Sequence, residues 1–348
     1  MRKLKILITG VGSPEGGAIM ADALKNNPDG REVELIGTDM DPESVGRHFV
    51  DRFYRVPAGR AEGFLPHLLR IVEQERPDVV LPQLSDEVAA VARARGEFEA
   101  LGTKVICSSA ASIRVADDKL LTYREMEAAG VAVPEYAECN SLAELGKAAY
   151  ALGYPERRVC FKPRVGKGSR GFVVLAPPGT PRGEALLGRG RVPLTLYEAN
   201  DMLKSAKPFP RLVVMEYIEA SEEHTVDLFC EDGRALMGYV KTRERVNAGL
   251  GYLFRVADRS DLRAIGEKAA AVLGLSGFAC VQTMDGKLTE VNPRNSVFPR
   301  QANFDMPWEC VKYVLEWVDR AHLKRIEGKL RAGATVQRYY RHVYAKGE

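Results

Sequence analysis

The sequence predicts an α/β protein that opens on a doubly wound parallel sheet and continues into mixed α+β subdomains. Three observations carry that reading. Short apolar runs alternate with helix-length segments up to about residue 115. A glycine-rich basic loop then sits between two short strands at 159–175, and a strand–turn–strand at 278–294 ends on acid, amide and arginine side chains. At 348 residues the chain exceeds one simple core, so two or three domains are expected.

Leu4–Thr9 reads as a buried parallel strand, followed by Gly10-Val-Gly12-Ser-Pro-Glu-Gly16-Gly17 and a helical stretch to about Lys25. Val33–Gly37 is a second strand ending near Asp39. Phe64–Glu75 reads as a helix, Val79–Leu81 as a strand, Asp86–Phe98 as a helix and Lys104–Ile106 as a strand. The glycine turn invites a dinucleotide reading with Asp39 on ribose, and an NAD-dependent oxidoreductase is the function that would follow. The fingerprint fails at its third glycine, where Glu15 stands, and tight strand-to-helix turns need glycine anyway. Asp86 and Glu87 follow a strand end, and Asp86 is expected to cap the next helix.

From Ala116 the chain reads as a helix capped by Asp117 and ended by Gly130, with Leu120, Leu121, Met126 and Ala129 facing inward. That places Lys119 in the first turn, where an ammonium and helix N–H groups together suit phosphate, although a lone surface lysine is the commoner case. Strand Val159–Phe161 delivers Lys162 into a loop holding Arg164, Gly166, Lys167, Gly168, Ser169, Arg170 and Gly171, and Phe172–Leu175 is the next strand. Glycines allow backbone N–H groups close to polyphosphate oxygens and the cations neutralise them. The loop is not a P-loop, since GxxxxGK[ST] and the following helix are both missing. A solvated basic hairpin is the competing reading. Residues 176–210 are Pro/Gly-rich, with a helix near Leu196–Lys204 and no evident chemistry.

Leu212–Ile218 reads as a buried strand ending on Glu216, and Thr225–Cys230 as the next strand after Glu223. A carboxylate and backbone groups at an apolar edge suit adenine, and a second carboxylate seven residues on suits ribose hydroxyls. Phe278–Asn295 contains two strands around Asp285-Gly286. Glu290 and Asn292 are two apart and share a face. A two-residue turn would set Gln282 opposite Thr289, whereas a three-residue loop Asp285–Lys287 pairs it with Glu290. The second is expected. Such an oxygen set suits Mg²⁺, with Mn²⁺ as a substitute, shared with nucleotide phosphates. Arg294 would then stabilise a transferring phosphoryl group.

The ordered set Lys119, Lys162 with its glycine flap, Glu216…Glu223, Gln282, Glu290-x-Asn292 and Arg294 resembles the ATP-grasp superfamily. Most similar are the stand-alone carboxylate–amine ligase-like relatives of the carbamoyl-phosphate synthase large subunit. The resemblance spans about residues 1–300. It implies a pre-ATP-grasp domain (1–115), a small flap-bearing subdomain (116–210), a large nucleotide and metal subdomain (211–325) and a C-terminal tail (326–348). It also implies that Lys119, Lys162 and the flap Arg164–Gly171 contact ATP phosphates, and that Glu216 with the Tyr217–Ile218 backbone holds adenine. Glu223 would take ribose, Glu290 and Asn292 the Mg²⁺, and Gln282 stands where many relatives carry an acid. Arg243 or Arg245 would hold an acyl phosphate, with solvated surface charge the equal alternative. The implied reaction makes an acyl phosphate from a carboxylate and ATP, then an amide with an amine.

Other classes fit less well. A net charge of +3 disfavours nucleic-acid and anionic-membrane partners. No apolar run approaches the ~20 residues that span a bilayer, and no signal peptide begins the chain. Six singly scattered cysteines suit reduced thiols in a cytoplasmic protein. A carbamoyl-phosphate-forming enzyme using ammonia and bicarbonate is disfavoured by a single ATP-grasp unit without a glutaminase motif. A non-catalytic ATP-binding regulator is disfavoured by the intact lysine–glutamate–asparagine–arginine set. Members of the family commonly dimerise, so the resemblance allows a homodimer, and the sequence leaves the oligomeric state open. Phe298, Phe304 and Trp308 either line an acceptor pocket or pack in the core, and Trp308–Ile326 reads as a helix. The last stretch, Lys329–Glu348, is basic, with Tyr339, Tyr340 and Tyr344.

Overall fold

The computed structural model describes residues 3–13, 16–166, 170–183, 192–219, 222–247, 250–295, 298, 300–301, 304–338 and 342–343. Glu15, the flap residues Lys167, Gly168 and Ser169, and Tyr339, Tyr340 and Tyr344 lie outside them. No helix among the described residues is long and apolar enough to cross a membrane. All six cysteines are buried and unpaired.

The first domain is the expected parallel sheet. Strands β1 (Leu4–Thr9), β2 (Val33–Asp39), β3 (Arg52–Arg55), β4 (Val79–Leu81) and β5 (Lys104–Val105) lie in the order β3-β2-β1-β4-β5, all parallel. Helices α1 (Gly17–Lys25), α2 (Phe64–Glu75), α3 (Ser85–Arg93) and α4 (Arg95–Ala100) connect them. The expected helix Asp86–Phe98 is thus two pieces broken at Ala94. β3 was not foreseen, because it is a sheet edge whose residues are exposed or half-buried and carry no apolar signature. Asp39 does not offer its carboxylate to a ribose. It is buried, and Oδ2 accepts the Gly12 N–H at 2.8 Å, so it holds the glycine turn itself.

Asp86 does not cap α3. It lies in the first turn, with Leu84 at the cap position, and pairs with Arg60 at 2.8 Å. A short helix α5 (Ala110–Asp117) precedes α6 (Lys119–Ala128), so the expected helix from Ala116 begins three residues later.

The second sheet is built from β6 (Tyr136–Cys139), β7 (Val159–Pro163), β8 (Val173–Leu175) and β9 (Leu212–Glu216) in the order β6-β9-β7-β8. Helices α7 (Leu142–Ala151) and α8 (Leu196–Leu203) pack on it through Leu145, Ala149, Leu196 and Ala199. The second sheet thus takes in Leu212–Glu216, beyond residue 210, because β9 pairs on both sides within it.

The third sheet is antiparallel. Its strands β10 (Glu223–Glu231), β11 (Arg234–Asn247), β12 (Leu250–Ala257), β13 (Gly277–Met284), β14 (Lys287–Asn292) and β17 (Thr335–Gln337) lie in the order β14-β13-β10-β11-β12-β17. Part of the expected C-terminal tail is thus an edge strand. Helix α9 (Ser260–Leu273) covers one face, its Leu262, Ala269 and Ala270 packing among Val226, Leu228 and Val281. Gly277 opens β13 at φ +70°, and a Cβ there would lie 3.0 Å from the Cys107 backbone, which favours glycine where β13 passes the end of β5.

After the two-residue strands β15 (Arg300–Gln301) and β16 (Phe304–Asp305) come α10 (Met306–Val314) and α11 (Arg320–Glu327). The expected single helix is broken where Glu316 adopts φ +61° and Asp319 caps the second piece by accepting from the His322 N–H at 2.8 Å. Phe298, Phe304 and Trp308 are core residues. They join Ile6, Ile8, Met20 and Leu24 of the first domain to Phe229, Met237 and Tyr239 of the third sheet. Trp308 Nε1 also donates to Asp29 at 2.8 Å. This core fixes the first domain against the large sheet.

Candidate active site

Helix α6 starts at Lys119, and the capping residue is Asp118, because Asp117 ends the preceding helix. The Asp118 carboxylate accepts from Leu120 and Leu121 N–H at 3.1 and 3.2 Å. Lys119 is only 6% exposed. Its Nζ donates to the Gly166 carbonyl at the flap base (2.9 Å) and lies 3.9 Å from Glu290 Oε1. Burial lowers the Lys119 pKa; Glu290 opposes that shift and Lys162 adds to it.

Lys162 stands one residue before the end of β7. Its Nζ donates to the Thr289 carbonyl at 3.3 Å and lies 5.9 Å from the Tyr123 ring centroid. Arg164 takes a part that sequence reasoning did not assign. Its Nε contacts both Asp118 oxygens at 2.7 Å and its Nη1 reaches Glu138 at 3.0 Å. With its guanidinium bound to two carboxylates, it braces the start of α6. Gly171 has φ +72°, and a Cβ there would meet the Pro163 ring at 2.8 Å, which explains glycine at the end of the loop.

On the large sheet Gln282 does pair with Glu290, by a route different from the one expected. The turn is the two-residue Asp285-Gly286, both at positive φ, with Met284 opposite Lys287. A bulge then inserts Thr289 between Leu288 and Glu290 and restores the pairing of the two side chains. Asn292 lies two residues on, opposite Cys280. The half-buried Gln282, Glu290 and Asn292 thus share one face of two adjacent strands.

The same face continues across β10 and β11, where Glu223 forms an ion pair with Arg243 and Asp227 pairs with Lys241 at 2.6 Å. Burial raises the Glu223 pKa; the Arg243 charge opposes the shift and Glu290 reinforces it. Arg243 and Arg245 part company at a register shift in the β11–β12 ladder. The Arg243 side chain is 9% exposed on the site face, and Arg245 is exposed. Arg294, half-buried, follows Asn292 and donates to the Asn295 carbonyl at 3.3 Å.

Glu216 ends β9, where its Oε1 accepts from Glu135 N–H at 3.0 Å and from Lys287 Nζ. Tyr217 N–H donates to the Arg158 carbonyl at 3.3 Å. Glu216 and Tyr217 line a cavity of about 410 Å³ with Arg157, Arg158 and Pro177, and half-buried Ile218 follows them. Among the described residues, no group of three or more His, Cys, Asp or Glu is placed to hold a metal. One carboxylate and two amides nevertheless fit Mg²⁺ if nucleotide oxygens complete the shell.

Tyr123, Thr289, Asp118 and the Asp227–Lys241 pair were not singled out from sequence. Only Lys241 carried a legible signal, since it alternates with Arg243 along one strand.

The family profile described as "PylC-like, N-terminal domain" matches residues 6–106, and "ATP-grasp in the biosynthetic pathway with Ter operon" matches residues 208–335. The carbamoyl phosphate synthase large chain of Thermotoga petrophila is 32% identical over 130 residues, covering 36% of this chain and 11% of that protein. The chain thus matches only about a tenth of that curated relative's length. Among solved structures, N5-carboxyaminoimidazole synthetase from Staphylococcus aureus superposes with a TM-score of 0.63 at 14% identity, covering 90% of this chain and 78% of that one. The biotin carboxylase domain of Hydrogenobacter thermophilus 2-oxoglutarate carboxylase, in complex with MgADP, ADP and bicarbonate, gives a TM-score of 0.65 at 16% identity, covering 90% and 70%. At such identities these two structures speak for the fold. The two profiles match in order and the architecture is shared: residues 6–106 belong to a PylC-like N-terminal domain and residues 208–335 to an ATP-grasp domain, with local sequence kinship to carbamoyl phosphate synthase large chains.

Proposed function

We propose that this chain is an ATP-dependent ligase that joins a small-molecule carboxylate to an amine or related nucleophile through an acyl phosphate. The single observation that carries the reading is the convergence of Lys119, Lys162 and Glu290. Lys119 Nζ stands 3.9 Å from the Glu290 carboxylate, and Lys162 Nζ is bonded to the carbonyl of the residue before it. Two cations from two elements thus flank an acid–amide floor, the arrangement a triphosphate and its metal need.

In the first step a carboxylate oxygen attacks the γ-phosphorus and the bond to the β-bridging oxygen breaks, releasing ADP. In the second the amine nitrogen attacks the acyl carbon, phosphate leaves, and the nitrogen gives up its proton. Lys119 and Lys162 hold the phosphates, while Glu216 and the Tyr217–Ile218 backbone border the base and Glu223 the ribose. Gly166 and Gly171 bound the loop beside the phosphates, and the Lys167, Gly168 and Ser169 expected to contact them lie outside the described residues. Arg294 and Arg243 face the transferring phosphoryl group and the acyl phosphate. Mg²⁺ or Mn²⁺, held by Glu290, Asn292 and Gln282 with nucleotide oxygens, would supply charge neutralisation there. The residues themselves do no covalent chemistry; they align oxygens and exclude water from a hydrolysable intermediate.

The test is an ADP- and phosphate-release screen of carboxylic acids crossed with amino acids and amines. ADP release that needs both an acid and an amine is expected. Release driven by bicarbonate and ammonia alone would instead establish the carbamoyl-phosphate-forming reading that the local kinship suggests. Failure to bind MgATP would end both.

A further inference from the structure

One backbone oxygen at the site has two donors. The carbonyl of Thr289, the bulge residue of β14, accepts the Tyr123 hydroxyl at 2.7 Å and the Lys162 ammonium at 3.3 Å. Tyr123 comes from α6, is fully buried, and its ring also lies under the Lys162 charge. α6, β7 and β14 therefore meet at this oxygen.

We propose that Tyr123 is a positioning residue that lets Lys162 exchange the Thr289 carbonyl for a nucleotide phosphate; the inference rests on the ATP-binding reading above. A lysine leaving a carbonyl for phosphate strands an acceptor in a partly buried place, and that stranding opposes nucleotide binding. A carbonyl oxygen has two lone pairs, so a second donor that stays in place keeps the acceptor satisfied after the lysine moves. Tyr123 is suited to that part because its hydroxyl is locked by burial. Its own pKa is pushed well above the ordinary range by burial, with Glu290 adding to the shift, so it remains a donor at every working pH. The bulge matters too. Without the extra residue, Thr289 would not interrupt the ladder there, and its carbonyl would be committed to strand pairing.

The experiment is a double-mutant cycle on equilibrium binding of a non-hydrolysable MgATP analogue, using Tyr123→Phe and Lys162→Met. Phenylalanine keeps the ring under the lysine and removes only the hydroxyl. In the Lys162 background of the natural chain, Tyr123→Phe is expected to weaken binding by about five- to tenfold, because the carbonyl is left unsatisfied only when the lysine departs. In the Lys162→Met background the same change should alter affinity less than twofold, since the carbonyl loses its second donor equally with and without nucleotide. An equal factor in both backgrounds means that Tyr123 is merely structural and overturns the proposal, as does an unchanged affinity in the first. Melting temperatures of all four proteins without nucleotide separate a folding loss from a binding effect. A natural chain that binds no analogue at all overturns the ligase reading, whereas a natural chain that binds while the cycle shows no coupling overturns only this inference.

Discussion

Glu290→Gln is expected to lower ADP release at saturating substrates by about 10²–10³-fold, the range seen when one electrostatic element of a transition-state site is removed. The effect should be on rate much more than on stability. Glu290 is a quarter exposed and lies 3.9 Å from Lys119, too far for a hydrogen bond, and the Lys119 ammonium keeps the Gly166 carbonyl as its partner. A melting curve close to that of the natural protein, beside a collapsed rate, is therefore the expected pair of measurements. The pH profile gives a second, independent readout. Burial lowers the Lys119 pKa and Glu290 is the largest group holding it up. Removing that charge lowers it further, so the residual activity should fall off at lower pH on the alkaline side, where Lys119 loses its proton. Lys162→Met should depress the rate comparably and leave the variant's alkaline limb where it was or higher, since Lys162 opposes the Lys119 charge. Near-natural rates in both variants would place the chemistry elsewhere.

Much of this site is legible in the linear chain because its chemistry is local. Glu290 and Asn292 share a face by strand alternation alone, and Lys119 enters a first turn whichever neighbouring aspartate caps it. The Gln282–Glu290 pairing was reached through the wrong loop. A turn of one residue more and a turn followed by a bulge are equivalent for every residue beyond them, so alternation cannot distinguish the two. Elements with strong apolar runs, such as Leu4–Thr9, Phe64–Glu75 and Val79–Leu81, have the boundaries that pattern implies. What escaped is what depends on distant partners. The Leu212–Met215 run looks the same whether it joins the second sheet or the third, and only its pairing with β6 and β7 decides. Arg164 looks like a flap cation until Asp118 and Glu138 arrive from other elements to hold it. The break at Glu316 carries neither glycine nor proline, and the glycine nearest the Ala94 break, Gly96, lies inside the next helix, so local punctuation places neither break.

Replacing Glu87 by glutamine should remove a pH dependence of stability on the order of 3 kcal/mol between pH 5 and 8. The Glu87 carboxyl reaches from the first turn of α3 to the carboxyl end of β1, 3% exposed, where Thr9 Oγ1 donates to Oε2 at 2.6 Å. It is enclosed by backbone, since a Cβ on Gly10 would lie 2.8 Å from that same oxygen and one on Gly59 would lie 2.8 Å from its side chain. Burial pushes its pKa from 4.5 up to about 7, with Asp39 and Asp86 adding to the rise and Thr9 resisting it. The folded chain therefore keeps the proton over a range in which the unfolded chain has already lost it. Below about pH 4.5 both states are protonated and the full stability is present; it declines as pH rises and reaches its lower plateau above pH 7. Glutamine preserves the shape and an oxygen for Thr9 but cannot ionise. Its absolute stability depends on how the new amide N–H groups are accommodated, so the informative quantity is the difference between the two urea-unfolding series across pH. The natural chain should lose stability relative to the variant from pH 5 to 8, by an amount that Asp39→Asn reduces through the lost like charge. Parallel curves would mean that water or a rearranged Thr9 hydroxyl solvates the ionised carboxylate, and that the turn between β1 and α1 is looser than its glycines imply.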